Sequence, residues 1–174
     1  GADEVAALAG ARPVGLTPKR RTVVLVDPPD GVDISTWPIV LDADEELYFK
    51  PDAGKLLVSP ADETPSPPCD AQPDEMDIAI AIDRLEKMTT LNVRRVGHKW
   101  AGLRTFAPDK TLIAGFDPDM AGFFWLAGQG GYGIQTSPSM GRIAAALIAG
   151  DEFPPDLAAL GLDKDVLGVE RLRR

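Results

Sequence analysis

A glycine-rich segment between an apolar run and an apolar helical pattern is the feature that most constrains this chain. Gly128, Gly130 and Gly133 have the spacing Gly-x-Gly-x-x-Gly, which is typical of the phosphate-binding turn in dinucleotide-binding folds. The run 123–127 before them is apolar and aromatic and indicates a strand. The sequence therefore predicts a strand, a tight turn and a helix in this order.

The predicted helix begins near Ser137, with Pro138 at its first position, and Gly150 ends it. One face of this helix is apolar and carries Met140, Ile143, Ala144, Leu147 and Ile148. The N–H groups of its first turn have no acceptor within the helix. We expect them to point back toward the glycines.

The context of the motif excludes a complete Rossmann unit. Such a unit needs a second parallel strand after the helix and an acidic residue about 20 positions on. Acids occur at roughly that distance, but Pro154 and Pro155 lie where the strand would need backbone hydrogen bonds. The glycines therefore belong either to a different kind of cofactor loop or to a purely structural turn.

Charge and hydropathy exclude several classes of function. The 174 residues carry a formal net charge of −9, which argues against a nucleic-acid partner because phosphate binding needs a positive surface. No apolar run is long enough to span a bilayer, and the first residues do not form a secretory signal. We expect a cytoplasmic protein without a membrane partner.

The single cysteine and the single histidine limit the possible chemistry. With only Cys69 and His98, the chain cannot build a cysteine–histidine metal site or a disulfide framework. We predict no metal site. A Ser-His-Asp triad would have to use His98, and no Gly-x-Ser-x-Gly turn accompanies it.

The remaining pattern predicts an α+β fold, with an antiparallel or mixed sheet and a few helices. Helices are predicted over about 2–9 and 74–90, and residues 60–74 are a proline-rich surface loop. Residues 51–54 are predicted to form the turn of a β-hairpin. The predicted strands are 12–16, 22–26, 38–41, 46–50, 55–59, 93–104, 111–115 and 123–127.

Four motifs follow one another between residues 100 and 138: Trp100-Ala-Gly-Leu-Arg104, Pro108-Asp109, Ile113-Ala-Gly115, and Gly128 to Ile134 followed by Ser137-Pro138. Their order and spacing resemble the C-terminal segment of the FAD-dependent D-amino-acid oxidase superfamily, which includes glycine oxidase and sarcosine oxidase. Upstream, Pro18-Lys-Arg20 and the hairpin around Leu47 to Val58 are similar to the same family. The resemblance extends over nearly the whole chain.

The resemblance implies a domain organisation. Residues 1–98 correspond to the substrate-binding sheet region, 99–150 to a flavin-contacting segment and 151–174 to a tail. Family members carry their dinucleotide-binding fold at the N-terminus, and this sequence has no counterpart to it. We expect the chain to be part of a longer enzyme, a proteolytic product or one half of a split protein. Its partner would be an N-terminal dinucleotide-binding region or subunit, and without it the chain should not hold FAD.

The resemblance also implies a cofactor-binding loop and the chemistry it serves. FAD would be contacted by residues of the glycine loop: Gly128, Gln129, Gly130, Gly131, Tyr132, Gly133, Ile134 and Gln135. The last five of them are expected against the flavin ring. The implied reaction is oxidation of an amine or amino acid by hydride transfer to the flavin.

Two further residues are implied to bind the substrate. Arg104, in the Gly-Leu-Arg motif, would hold a substrate carboxylate through paired hydrogen bonds. Tyr48 matches a pocket tyrosine whose hydroxyl can help to hold the substrate, and a tyrosine packed in the core is the alternative for this position. Two departures leave the substrate open: Thr105 follows Arg104 where a proline is common, and Gly131 stands where some members have a second arginine.

Two other functional readings stay open from the sequence. One is a non-catalytic subunit or regulatory module of the same fold that never binds flavin. The other is a carboxylate-binding protein that uses Arg104 alone. Glycine costs conformational entropy in a folded chain, so the glycines at positions 130, 131 and 133 favour the flavin-binding reading.

Overall fold

The computed structural model describes residues 1–173. Its helices are α1 Ala2–Leu8, α2 Glu75–Met88, α3 Gly133–Ala149, α4 Pro155–Ala158 and α5 Lys164–Leu167, followed by a 3-10 helix Val169–Leu172. Its strands are β1 Thr17–Val26, β2 Val40–Leu41, β3 Tyr48–Asp52, β4 Lys55–Ser59, β5 Thr64–Pro65, β6 Val96–Phe106, β7 Ile113–Phe116 and β8 Phe124–Ala127. The predicted α+β class is confirmed.

The chain forms two compact units, and one of them is built from two separate stretches of the sequence. The first, called the loop unit here, comprises Gly1–Pro18 and Arg104–Arg174. The second, called the sheet unit, comprises Lys19–Leu103. The resemblance implies a division into functional regions after residues 98 and 150. The boundaries of the compact units do not test that division, so it stays a prediction.

The sheet unit consists of a mainly antiparallel sheet with α2 on one face. The strand order is β2-β3-β4-β1-β5, and β6 pairs with β1. Alternate residues of the central strands point to α2, because successive side chains of a strand face opposite sides of the sheet. The resulting core contains Val24, Val26, Leu47, Phe49, Leu56 and Val58 from the sheet side and Ile78, Ala81 and Leu85 from α2.

The predicted hairpin is confirmed as β3 and β4. The strands pair from Tyr48 with Ser59 to Asp52 with Lys55, which leaves Ala53 and Gly54 as a two-residue turn. Their φ angles are 48° and 78°, the left-handed conformation that two-residue hairpin turns require and that glycine adopts easily.

Helix α2 is confirmed with small differences at its end and in the preceding loop. The Asp74 carboxylate accepts a hydrogen bond from the Met76 N–H at 2.8 Å, which caps the first turn. The helix ends at Met88 rather than at residue 90. Within the proline-rich loop, the short strand β5 pairs with Lys19 and Arg20 of β1.

The loop unit packs short elements around the antiparallel pair β7 and β8. These strands pair from Ile113 with Ala127 to Phe116 with Phe124. A first cluster of buried residues lies near α1: Ala6, Ala11, Val14, Leu16, Ala107, Ile113, Trp125 and Val169. A second lies near α3: Ala114, Met140, Ile143, Leu157 and Leu167. Residues 151–173 are helical or irregular in the structure and add no strand, so the motif is not part of a Rossmann repeat within the described chain.

The predicted strand at 12–16 is wrong. These residues form an irregular segment, and β1 begins at Thr17. The carboxylate of Asp3 in α1 accepts hydrogen bonds from the N–H groups of Val14, Gly15 and Leu16 at 3.2, 2.8 and 2.9 Å. A side chain therefore satisfies backbone donors that a neighbouring strand would otherwise bind.

Helix α3 begins four residues earlier than predicted, at Gly133, and Pro138 lies inside it. A proline at this position removes the hydrogen bond to the carbonyl oxygen of Ile134. The Ser137 hydroxyl donates to that oxygen instead, at 2.9 Å. The predicted end is confirmed, because Gly150 takes a left-handed conformation with φ 75°.

The described chain shows no helix that is both long and apolar enough to cross a membrane.

Candidate functional site

The glycine loop, residues 128–132, connects β8 to α3 within the loop unit. Gly128 and Gly130 have φ angles of 75° and 53°, which side chains disfavour and glycine tolerates. The Gly130 N–H donates to the carbonyl oxygen of Thr105 at 2.9 Å, and Gln129 forms an antiparallel bridge with Phe106. The loop is therefore tied to the end of β6.

Gly130 and Gly131 both lie against side chains from the end of β6. A Cβ atom on residue 130 would stand 2.8 Å from Cδ1 and 3.0 Å from Cζ of Phe106. A Cβ atom on residue 131 would stand 2.6 Å from Nη1 of Arg104 and 3.6 Å from its Cζ. Glycine at these two positions makes room for a buried ring and for a guanidinium.

Arg104 has no acceptor of its own within residues 1–173, where no hydrogen bond or ion pair joins its side chain to another residue. Other arginines of the loop unit behave differently: Arg142 pairs with Asp156, Arg171 with Asp109 and Arg173 with Asp117. The Arg104 side chain is half-buried. Its hydrogen-bond donors are available to a ligand.

The N-terminus of α3 is also open to a ligand. Its N-cap residue, Tyr132, makes no side-chain capping hydrogen bond. The first-turn N–H groups of Gly133, Ile134 and Gln135 have no acceptor within a helix, and they carry the partial positive charge of the helix dipole. The side chains around them are exposed, 49% for Tyr132 and 93% for Ile134. This end of the helix suits a flat ligand with an electron-rich edge.

Nine of the ten predicted site residues lie together in the loop unit. They are Arg104, Gly128, Gln129, Gly130, Gly131, Tyr132, Gly133, Ile134 and Gln135. Because α3 begins at Gly133, the last three belong to the first helical turn rather than to the loop.

The tenth predicted site residue, Tyr48, belongs to the sheet unit. It lies on β3 between Leu41 of β2 and Ser59 of β4. Leu47 and Phe49 on either side of it are buried in the core, so Tyr48 faces the opposite side of the sheet, as the alternation predicts. It is half-buried there.

The sequence interpretation missed the contribution of the end of β6. The predicted strand stopped at Arg104, whereas β6 continues to Phe106. Phe106 is buried under Gly130, and the Nζ atom of Lys110 lies 5.9 Å from the centre of its ring. The two-residue spacing of Arg104 and Phe106 was the available signal, because it places both side chains on one face of a strand.

Two carboxylates of the loop unit, Asp117 and Asp109, form ion pairs with arginines of the C-terminal segment. Burial raises the pKa of Asp117, but hydrogen bonds from the Trp125 indole and the Asp119 N–H, with the charge of Arg173, outweigh it. The net result is a lowered pKa. Arg171 likewise lowers the pKa of Asp109 by donating a hydrogen bond to it. These carboxylates hold the C-terminal helical segment through Arg171 and Arg173.

In the sheet unit, Asp62 is a carboxylate with a shifted pKa and an arginine nearby. Burial raises its pKa, against the hydrogen bonds that it accepts from the N–H and hydroxyl of Thr22. Arg20 approaches it at 3.8 Å and donates to Asp77 of α2 at 2.6 Å. This group connects α2 with the sheet.

His98 and Cys69 take no part in the candidate site. The His98 ring stacks on Trp100 with 5.4 Å between ring centres, and Cys69 is exposed, with its sulfur 3.6 Å from the Ser66 hydroxyl oxygen. Within the described residues, no three histidine, cysteine or acidic side chains are grouped so that they could hold a metal ion.

Known structures share this fold. L-proline dehydrogenase from P. horikoshii superposes with a TM-score of 0.74 and 18% identity, covering 97% of this chain and 44% of that one. Glycine oxidase from Geobacillus kaustophilus gives 0.64 and 22%, with 86% and 40% covered. L-amino acid deaminase from Proteus vulgaris gives 0.66 and 18%, with 96% and 39% covered. At these identities the likeness concerns the fold, and the chain spans about 40% of the length of the glycine oxidase.

A family comparison matches most of the sequence. The pattern of the family described as FAD dependent oxidoreductase, abbreviated DAO, covers residues 1–147. The match includes β1 to β8, Arg104 and the glycine loop. The chain belongs to the DAO family of FAD-dependent oxidoreductases.

Proposed function

We propose that this chain is the substrate-binding and flavin-contacting part of an FAD-dependent oxidoreductase that oxidises an amine or an amino acid. The observation that carries the proposal is the arrangement at the end of β6. A guanidinium that has no acceptor among residues 1–173 lies against the glycine loop that precedes an uncapped helix N-terminus. Family membership and the likeness to amino-acid oxidases and dehydrogenases support the reaction class.

The end of the glycine loop and the first turn of α3 fit a flavin ring. Tyr132 and Ile134 expose apolar surface, and the N–H groups of Gly133, Ile134 and Gln135 can face an electron-rich edge. When bound, FAD supplies the electron acceptor for oxidation of the substrate. The N-terminal end of α3 would stabilise negative charge on the ring without a titrating side chain.

Arg104 would bind and orient a substrate carboxylate. A guanidinium forms two parallel hydrogen bonds with a carboxylate, which determines both the position and the angle of the ligand. For Tyr48, in the sheet unit, the resemblance implies a substrate contact of its own, and this stays a prediction. No residue of this set has to remove a proton as a strong base, so the chain contributes binding and orientation.

A dinucleotide-binding region is the proposed partner. FAD is held mainly through its pyrophosphate and adenosine, by a glycine turn and an acidic residue of a dinucleotide fold. The described chain offers contacts to the ring end only, and ordering a flexible cofactor costs free energy that these contacts must offset. The proposal therefore requires an N-terminal region or subunit that anchors the rest of FAD.

The alternative is a module of the same fold that never binds flavin. The sequence argument against this alternative was that glycines are kept for flavin. At position 130, however, the φ of 53° and the Phe106 ring both favour glycine whether or not flavin binds. The presence of glycine at position 130 therefore does not separate the two functions. Direct measurement of FAD binding does.

The test is an FAD titration of the 174-residue chain, alone and mixed with the dinucleotide-binding region encoded upstream of it or beside it. We expect the chain alone to be colourless and the mixture to retain yellow, stoichiometric FAD. Ile134→Glu places a negative charge at the ring contact and should abolish retention. Ile148→Glu, at an exposed position near the other end of α3, is the matched control and should not.

Two outcomes contradict this proposal. Tight, stoichiometric FAD binding by the chain alone would show that the flavin site is complete without a partner. A folded mixture that retains no FAD would favour the non-catalytic module.

A further inference from the structure

We infer that Gly131 is a positioning residue: its missing side chain allows the Arg104 guanidinium to lie against the glycine loop, where a ligand carboxylate can reach it. The inference rests on the proposed function in one respect, namely that Arg104 binds a carboxylate. It adds that the residue at position 131, and not Arg104 alone, determines where that carboxylate is held.

The geometry of the contact carries the inference. A Cβ atom on residue 131 would lie 2.6 Å from Nη1, 3.6 Å from Cζ and 3.9 Å from Cδ of Arg104. These atoms extend over the outer half of the arginine side chain. Arg104 therefore lies along residue 131 and occupies the space into which any side chain at that position would project.

Backbone conformation does not explain glycine at position 131. Gly128 and Gly130 have positive φ angles, whereas Gly131 does not. The left-handed conformation that disfavours a side chain is therefore absent at residue 131. What a side chain there would meet is Arg104.

The consequence of a side chain at position 131 follows from what holds Arg104. The guanidinium makes no hydrogen bond or ion pair within residues 1–173, so packing determines where it lies. It is also the far end of a flexible side chain. A methyl group at position 131 therefore displaces the guanidinium rather than the backbone, and the fold changes little.

Gly130 shows the contrast. A side chain there would meet the ring of Phe106, which is only 5% exposed and cannot move away easily. Gly130 therefore has a structural role and Gly131 a positioning role. The two adjacent glycines should respond to the same substitution in different ways.

The experiment uses the 174-residue chain and NMR signals of arginine Nε–H groups, with sodium benzoate as the carboxylate probe. In the wild type, the Arg104 signal should move saturably with benzoate. Gly131→Ala should shift this signal before benzoate is added and weaken benzoate binding by about tenfold or more, the loss expected for a hydrogen-bonded charge pair. The melting temperature should change little.

Two further variants test the route of the effect. Residue 141 lies in α3, where an added Cβ atom would meet no neighbouring atom within 4 Å. The variant Gly141→Ala should therefore leave the Arg104 signal and benzoate binding unchanged. In an Arg104→Lys background, Gly131→Ala should have no additional effect on benzoate binding, because its effect acts through the guanidinium.

The outcomes separate the inference from the proposed function. If Arg104 responds equally to benzoate in the wild type and in Gly131→Ala, and its signal is unmoved in the free protein, the inference is overturned while the proposed function stands. If Arg104 does not respond to benzoate in the wild type, the proposed carboxylate role fails. The signal of the free Gly131→Ala variant then still decides whether residue 131 positions the guanidinium.

Discussion

Gly130 lies over the ring of Phe106, and a Cβ atom on residue 130 would approach the ring to 3.0 Å or less at Cδ1 and Cζ. The contact joins the glycine loop to the end of β6, where the Gly130 N–H also donates to the Thr105 carbonyl. Its backbone φ of 53° disfavours any side chain. The contact with Phe106 and the left-handed backbone conformation therefore favour glycine at position 130 independently of each other.

Gly130→Ala should destabilise the protein by roughly 2 to 6 kcal/mol, since overpacking and backbone strain each cost about 1 to 3 kcal/mol and both apply at this residue. Gly141→Ala is the matched control, because residue 141 is exposed in α3 and a Cβ atom there would meet no neighbouring atom within 4 Å. It should stabilise by up to about 1 kcal/mol through helix propensity. Denaturant unfolding measures both. An unchanged midpoint for Gly130→Ala would show that Phe106 can move away from the loop.

Arg104→Lys should weaken substrate binding in the complete enzyme more than it weakens FAD binding. Lysine keeps the charge but loses the forked pair of donors, and the expected loss is about 1.5 to 3 kcal/mol. Steady-state kinetics with carboxylate substrates would measure this as a rise in KM, with FAD content as the control. An unchanged KM for every carboxylate substrate would remove Arg104 from the site.

Asp3→Asn should destabilise the loop unit. The Asp3 carboxylate accepts hydrogen bonds from the N–H groups of Val14, Gly15 and Leu16, and an amide presents a donor to part of this set. We expect a loss of roughly 1.5 to 3 kcal/mol, the range for hydrogen bonds to charged groups. Glu4→Gln, at an exposed position of the same helix, should change the unfolding free energy little. Equal effects of the two variants would contradict the role of Asp3.

The lowered pKa of Asp117 should make the loop unit sensitive to acid. A carboxyl whose pKa is lower in the folded state binds fewer protons there than in the unfolded chain, so the free energy of unfolding rises with pH. This contribution is present above the unfolded pKa of about 4 and is lost as pH falls through the folded value.

Denaturant unfolding followed by tryptophan fluorescence would measure that slope, because the Trp125 indole donates to Asp117. Asp117→Asn should reduce the dependence of the unfolding free energy on pH below about pH 4. The same slope in Asp117→Asn and in the wild type would assign the acid sensitivity to other carboxylates.

The candidate site was predictable as a set of residues but not as an arrangement. The resemblance identified Arg104 and the loop from Gly128 to Gln135, and the structure brings them together in one unit. That Arg104 lies along Gly131, and Phe106 under Gly130, could not be predicted. Such contacts depend on how the end of β6 meets the loop, and no local pattern records this.

By itself, the sequence determined those elements whose signal is local. The turn at Ala53 and Gly54, the cap at Asp74 and the end of α3 at Gly150 all follow from residues that are neighbours in the chain. Alternation along the strand likewise places Leu47 and Phe49 on one face and Tyr48 on the other, and the folded structure shows that the first face is the core. Backbone sterics and side-chain periodicity act over a few residues, so a sequence displays them directly.

Only the tertiary structure decided the outcome where a distant group satisfies the backbone or occupies the space. Residues 12–16 look like a strand, but the Asp3 carboxylate accepts hydrogen bonds from the N–H groups of residues 14–16. Gly131 looks like one more flexible residue, but it is the place where the Arg104 guanidinium lies. Hydrogen-bond satisfaction and close packing belong to the folded chain as a whole, because the groups that meet are far apart in sequence.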